Sequence, residues 1–363
     1  MKIKNKKLNL LCITRKFPPQ VGGMENFSYN LLNGFNEEQV NKKILALGKR
    51  QCHLIWFFPY CLLYVIFNAH KYDMVFIGDG VLCSLRFFGK LFARKTCFVI
   101  SVLGLDITFK NPIYQLYLML FYNGFDDYIC ISKETEKTLR ARGIKKSTVI
   151  TPGVDIHKFE NVSINPSAFQ KKYNLNEDCL IMITVGRLIK RKGVQWFLEN
   201  VMPQLKDKNI IYLVIGAGEE SEAIKSTQVH YHLNNVQLLG RVSDEDLEAL
   251  YLNADLFIMP NIKVANDMEG FGIVAIEASL SKSVVIASGI EGIKDAIIDG
   301  ENGYLLESEN KVEYIAKILD AYQHKNEYKL KSEKFCQYTK DNYSWEKICS
   351  LYLEHFKSLI ERK

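Results

Sequence analysis

Two doubly wound α/β domains, one after the other, are the fold class this sequence predicts, and three observations predict it. Short apolar runs alternate with helical patterns along the chain. The alternation restarts near Leu180 after a polar stretch. The length, 363 residues, is too great for one ordinary domain and comfortable for two.

The first strand is expected over 8–13. Gly22-Gly23 follows, and Met24, Phe27, Leu31, Leu32 and Phe35 then recur at helical spacing. Residues 74–77, 97–102, 127–131 and 147–151 read as further strands with helices between them, the pattern of a parallel sheet covered on both faces. The polar stretch 161–178, which contains Pro166, is the expected junction, dividing the chain into 1–160 and 161–341. The second series has strands at 180–185, 210–215, 236–239, 256–259 and 284–287. A helix over 342–363, marked by Trp345, Ile348, Tyr352 and Phe356, closes the chain. Domains of this kind bind ligands beyond the carboxyl ends of their strands, so a site is expected in a cleft between the two.

Composition narrows the class. Hydrophobic residues make up 48% and charged residues 24%, which fits a globular fold rather than a disordered one. The nine cysteines are odd in number and contain no C-x-x-C, so reduced, buried thiols in a cytoplasmic protein are expected. The apolar run 8–13 is too short for a signal-peptide core. The longest apolar run, 53–67, is interrupted by Pro59 and falls short of the roughly 20 residues that span a bilayer. It is expected to be a buried helix packed on a sheet.

Charge is uneven: residues 1–150 carry +12 and the remainder −6. A basic first half calls for an anionic partner, either lipid headgroups or a lipid-linked phosphate. No zinc-finger spacing or RNP-like aromatic motif is visible, so nucleic acid is not expected.

Two segments carry chemistry. The first runs from Glu269 through Gly270, Phe271, Gly272 and Ile273 to Glu277. Its glycines let a ligand approach a helix N-terminus, whose free N–H groups favour an anion. Glu277 lies in an apolar helical run, where a carboxylate needs hydrogen-bond donors. Paired ribose hydroxyls would supply them, and an internal partner is the alternative. Glu269, before the helix, stands where a sugar hydroxyl could reach it. The second segment follows the apolar run 180–185 and contains Gly186, Arg187, Lys192 and Gly193. Arg187 can donate two hydrogen bonds to phosphate oxygens. Lys192 is a cation at a helix start, which opposes the dipole unless an anion binds there. Both would stabilise a diphosphate leaving group; a solvated basic loop is the alternative.

These segments make the chain resemble retaining, family-4-type glycosyltransferases of the GT-B fold (glycosyl transferases group 1). Further landmarks are Gly22-Gly23-Met24-Glu25, Gly104-Leu105-Asp106, Pro152-Gly153-Val154-Asp155, Gly216-Ala217-Gly218 and Gly300-Glu301-Asn302-Gly303. The resemblance implies an N-terminal acceptor domain, a C-terminal nucleotide-sugar domain, and a terminal helix crossing back to the first. It implies that Arg187 and Lys192 hold the donor diphosphate, Glu277 the ribose, and Glu269 the donor sugar with the backbone at Phe271 and Gly272. Gly22 and Gly23 would wall the phosphates and acceptor, and Arg241-Val242 would meet the base. It implies front-face transfer with retention, no metal, and no cofactor beyond the nucleotide sugar as co-substrate, with a UDP-sugar favoured over a GDP-sugar. The acceptor would be a hydroxyl of a lipid-linked or envelope glycan.

The sequence departs from the family at Leu103, where a histidine commonly precedes Gly-x-Asp. A donor lacking the 6-hydroxyl, such as a 6-deoxysugar or pentose, would tolerate that loss. Other activities open to the same fold are a nucleotide-sugar epimerase or hydrolase and a non-catalytic subunit.

Three features invite false leads. Asp244-Glu245-Asp246 matches a D-x-D metal motif, but Ser243 ahead of it predicts helix capping. His230 and His232 lack ligand spacing and are expected to be exposed. Gly216-x-Gly218 lacks the full dinucleotide fingerprint. Finally, Arg86, Lys90 and Arg94 share a helical stripe that could meet an anionic membrane surface, on the inner face of the cytoplasmic membrane. A helix packed on its own sheet with a solvated basic face is the alternative.

Overall fold

The computed structural model describes residues 7–363 except Val21, Lys49, Asn161, Ser163, Ile164, Glu177 and Asn266, with Leu105 and Pro166 described by backbone alone. It divides into two compact units, Met1–Gly153 with Trp345–Lys363, and Val154–Ser344.

The first unit is built on a six-stranded parallel sheet in the order β2-β1-β3-β4-β5-β6. Its strands are β1 (Leu8–Thr14), β2 (Val40–Ala46), β3 (Met74–Ile77), β4 (Cys97–Val102), β5 (Asp127–Cys130) and β6 (Thr148–Val149). β3 and β4 are buried along their whole length, as helices on both faces require. β2 lies at the edge, buries Val40 and Leu45, and leaves Asn41 and Lys43 exposed. The helices include α1 (Gly23–Gly34), α2 (Leu54–Asn68), α3 (Ser84–Phe92), α4 (Leu105–Thr108) and α5 (Pro112–Phe121). The terminal helix, Trp345–Glu361, belongs to this unit: Trp345 packs on Phe27 at 6.0 Å, and Phe356 lies between Phe35 and Phe76 at 6.1 and 5.7 Å.

The second unit has a six-stranded sheet in the order β12-β11-β10-β7-β8-β9. Its strands are β7 (Leu180–Val185), β8 (Ile210–Ile215), β9 (Val236–Gly240), β10 (Leu256–Met259), β11 (Val284–Ser288) and β12 (Tyr304–Leu306). Its core includes the fully buried Phe197, Tyr212 and Tyr314. Buried phenols need partners, and Thr184 Oγ1 and Ser288 Oγ lie 2.6 and 2.9 Å from the Tyr212 and Tyr314 hydroxyls.

The polar stretch 161–178, the expected junction, contains a helix, Pro166–Tyr173, capped by Asn165 Oδ1 accepting from Ala168 N at 3.1 Å. Asn161, Ser163, Ile164 and Glu177 of that stretch lie outside the described residues. The division into units falls earlier, after Gly153.

The apolar run 53–67 does form a helix, α2, but only Cys61 and Val65 in it are buried, and Trp56 is 77% exposed. Leu54, Phe57, Phe58, Leu62 and Tyr64 pack half-buried against the core, whereas Ile55, Trp56, Tyr60, Leu63 and Phe67 are exposed.

The basic stripe does not hold together either. Arg94 lies beyond the end of α3. Lys90 is half-buried, donates to Thr96 O at 2.8 Å and pairs with Asp126 at 3.1 Å. Arg86 Nη1 donates to Asn123 O at 3.4 Å. Among the cysteines, Cys52 is exposed and Cys179 half-buried; the other seven are buried.

Candidate functional site

In an open parallel sheet the crevice forms where strand order reverses. In the second unit that point lies between β7 and β10, neighbours in the sheet whose following loops diverge in sequence. Backbone contacts close these loops on each other. A Cβ at Gly193 would stand 1.9 Å from Pro260 O, and Ile262 N donates to Arg191 O at 3.0 Å. On the β8 side, a Cβ at Gly216 would stand 1.8 Å from Gly186 O. Gly193 and Gly216 are therefore required by close approach.

Lys192 and Glu269 come together at this point. Glu269 Oε2 accepts from Lys192 Nζ at 2.5 Å, from Asn261 Nδ2 at 2.9 Å and from Arg191 Nη1. Arg191 Nε also donates to Asp267 Oδ1 at 3.0 Å, and Glu291 Oε2 accepts from Glu269 N at 2.6 Å. Burial alone would raise the Glu269 carboxyl, but Lys192 and Arg191 outweigh it and hold it at about 2. Arg187 differs: it is exposed at the end of β7 and, among the described residues, has no side-chain partner.

The glycine segment wraps the same crevice. A Cβ at Gly292 would stand 2.1 Å from Gly270 O, and buried Phe271 packs toward Tyr343 at 6.3 Å. Gly272, at φ 90°, precedes the helix Ile273–Leu280, which has no side-chain cap. Ala275 N donates to Gly272 O at 3.0 Å, and the N–H groups of Ile273 and Val274 ahead of it are of the kind that favours an anion. On that helix Glu277 is paired internally, with Lys158 Nζ at 2.6 Å and the Tyr251 hydroxyl at 3.4 Å. Arg241, exposed, and Val242, half-buried, follow β9. The next residue, Ser243, caps the helix Asp244–Asn253 by accepting from Asp246 N at 3.1 Å, as its spacing predicts. His230 and His232 are exposed.

In the first unit the order reverses between β1 and β3, and the loops there hold a second set of charges. Arg15 Nε donates to Asp79 Oδ1 at 2.9 Å, and Lys16 pairs with buried Glu25 at 3.0 Å. A Cβ at Gly22 would stand 2.4 Å from Glu25 Oε2, whereas one at Gly23 would meet nothing within 4 Å. Leu103 is buried, and Leu103 N donates to Asp106 Oδ1 at 3.0 Å across Gly104, whose φ is 100°.

Burial, with Asp79 nearby, raises the Asp106 carboxyl to about 7. A raised carboxyl favours the protonated fold: its contribution is full below about pH 4 and is lost as pH rises through about 7. Asp106→Asn, which keeps the acceptor for Leu103 N, is therefore expected to raise Tm at pH 8 and leave it unchanged at pH 4.

Sequence alone does not single out Arg191, Asn261, Asp267 and Glu291 in the second unit or Arg15, Lys16 and Asp79 in the first, and it marks Glu25 only as part of the Gly22-Gly23-Met24-Glu25 landmark. Arg15 and Asp79 could have been found, because each follows the carboxyl end of a strand at a reversal point.

Residues 167–341 match the family model described as glycosyl transferases group 1. An uncharacterized glycosyltransferase of Methanocaldococcus jannaschii is 27% identical over 318 residues, covering 82% of this chain and 78% of that protein. The capsular polysaccharide biosynthesis glycosyltransferase CapM of Staphylococcus aureus is 27% identical over 263 residues, covering 68% of this chain and 67% of that protein. Among solved structures, Anabaena HepE in complex with UDP and glucose superposes with a TM-score of 0.72 at 17% identity, covering 97% of this chain and 100% of that one.

Proposed function

We propose that the chain, which has the GT-B fold and matches the glycosyl transferases group 1 model over residues 167–341, is a glycosyltransferase that transfers a sugar, with retention and without a metal ion, from a UDP-sugar to a hydroxyl of a lipid-linked or envelope glycan. The observation that carries the reading is Arg187, exposed and without a side-chain partner among the described residues, on the same loop as Lys192, together with the uncapped helix after Gly272. Positive charge placed where a diphosphate would depart stabilises the transition state more than the ground state.

In the proposed step the bond from the anomeric carbon to the β-phosphate oxygen breaks. The acceptor oxygen attacks from the same face, and its proton passes to the departing phosphate. Arg187, Lys192 and the amides at Gly270–Ile273 take up the developing charge. Glu269 holds Lys192 in place and offers its other oxygen to a donor-sugar hydroxyl. Glu277 would exchange part of its pairing for ribose hydroxyls, and Arg241-Val242 would flank the base. In the first unit, Gly22 and Gly23 would wall the acceptor. The UDP in the Anabaena structure favours uridine, and the polysaccharide relative favours a glycan acceptor.

A thermal-shift screen tests this. A cognate UDP-sugar at a hundredfold excess over its Kd should add about 2.7 kcal/mol of stability; no shift with any nucleotide sugar would contradict it. Leu103 bears on the donor: if it replaces a 6-hydroxyl contact, Leu103→His should raise turnover of an ordinary hexose donor, and an unchanged donor preference would reject that role.

A further inference from the structure

We propose that the outer face of α2, α3 and α5 docks the protein on an anionic lipid bilayer, with α2 lying in the plane of the interface. The proposal does not depend on the identity of donor or acceptor.

The three helices form one layer. Gly89 of α3 lets α2 approach so closely that a Cβ there would stand 2.7 Å from Val65 Cγ1. Phe121 of α5 packs on Phe87 of α3 at 5.7 Å. The outer surface of this layer is apolar and exposed. Trp56, Tyr60, Leu63 and Phe67 recur at spacings of four, three and four along one stripe of α2. Phe87 and Leu91 on α3 continue it, and α5 adds Ile113, 81% exposed, with Leu116 and Met119. So much contiguous apolar surface is unusual on a soluble protein and marks a docking face.

Charge identifies the occupant. The segments 50–71, 81–96 and 107–125, which make up this layer and its ends, contain no Asp or Glu. They place exposed Arg50, Lys71, Arg94, Lys95 and Lys110 at the ends of the apolar helices. Trp and Tyr beside an apolar stripe, ended by cations and free of carboxylates, match the headgroup region of an anionic membrane.

Although the apolar run 53–67 is itself short of a bilayer span, the whole helical stretch Gln51–Lys71 is long and apolar enough, by length and composition, to cross a membrane. Its connections forbid that. α2 joins β2 to β3, and both strands pair in parallel with β1, Leu8 opposite Val40 and Leu10 opposite Met74. A spanning helix would put β2 and β3 on opposite sides of the bilayer and break that ladder. Lying flat, α2 keeps Cys61 and Val65 inward and turns its exposed stripe toward the acyl chains.

The test is flotation of the full chain with vesicles of phosphatidylcholine alone or mixed with phosphatidylglycerol. Binding to the mixed vesicles, weakened by salt, is expected. Trp56→Glu with Leu63→Glu should cut vesicle affinity at least tenfold at unchanged Tm, because both side chains are exposed. Arg94→Glu with Lys95→Glu should weaken binding to the anionic vesicles about thirtyfold or more. No flotation at low salt overturns the proposal. So does binding by the Trp56/Leu63 variant equal to that of the parent. A dimer that the Trp56/Leu63 substitutions dissociate, in a protein that ignores vesicles, would assign the face to a second copy and overturn it as well.

Discussion

Arg187→Ala is expected to lower kcat about a hundredfold to a thousandfold while leaving Tm unchanged. The side chain is exposed and without a partner among the described residues, so its removal leaves no buried charge or cavity. Its proposed work lies wholly in the transition state, where the diphosphate gains charge as the sugar leaves. Removing one preorganised charge-stabilising group of that kind costs about 3 kcal/mol in activation free energy. Steady-state kinetics with the cognate donor, alongside a melting curve, would read both quantities. A variant with full kcat would mean that Arg187 is a solvated loop residue, and a variant with lowered Tm would mean that it has a structural partner.

Glu269→Ala is expected to act the other way, on stability first. Its carboxylate is the common partner of Lys192 and the buried Arg191. Removing one member of a buried ionic cluster leaves the others uncompensated, at a cost of about 3–5 kcal/mol. Asp267 still meets Arg191 at 3.0 Å, which moderates the loss on that side.

The pH dependence follows from the carboxyl being held at about 2 against an ordinary 4.5. A depressed carboxyl contributes fully above about pH 4.5 and loses its contribution as pH falls toward 2. Urea titrations of parent and Glu269→Gln should therefore differ at pH 7 and converge at the acid end. Equal midpoints at pH 7 would mean that the cluster contributes nothing to the fold.

The strands of both sheets were legible wherever the chain is buried on both faces. Residues 74–77, 97–102, 180–185, 210–215 and 256–259 read as apolar runs, broken only by Ser101 and Thr184, and are strands at those bounds. β2 and β12 escaped because they are edge strands: Lys42 and Lys43 break the run in one, and the other is only Tyr304–Leu306. Helix α2 misled for a related reason. Apolarity along a segment predicts removal from water only if neighbouring elements cover it, and nothing in the sequence tells a covered helix from an exposed one.

In the candidate site, Lys192, Glu269 and Glu277 were visible as charges set against local expectation: a cation at a helix start and carboxylates beside apolar runs. Their partners were not visible. Arg191 sits among basic neighbours that read as a solvated loop, yet it is buried by a contact with Asp267 and Glu269 from the far side of the reversal point. Lys158, which pairs with Glu277, lies 119 residues away from it in sequence. Pairings that distant are fixed by which loops the sheet order brings together, and spacing along the chain does not encode them.

Calorimetric comparison of UDP with uridine on the full chain and on the Arg187→Ala/Lys192→Ala variant tests the diphosphate cradle most directly. The parent should bind UDP at least about a hundredfold more tightly than uridine, as two charge-assisted contacts imply, and the variant should keep only the smaller preference that the amides at Gly270–Ile273 supply. A variant that still prefers UDP as strongly as the parent would place the phosphates somewhere other than between β7 and β10.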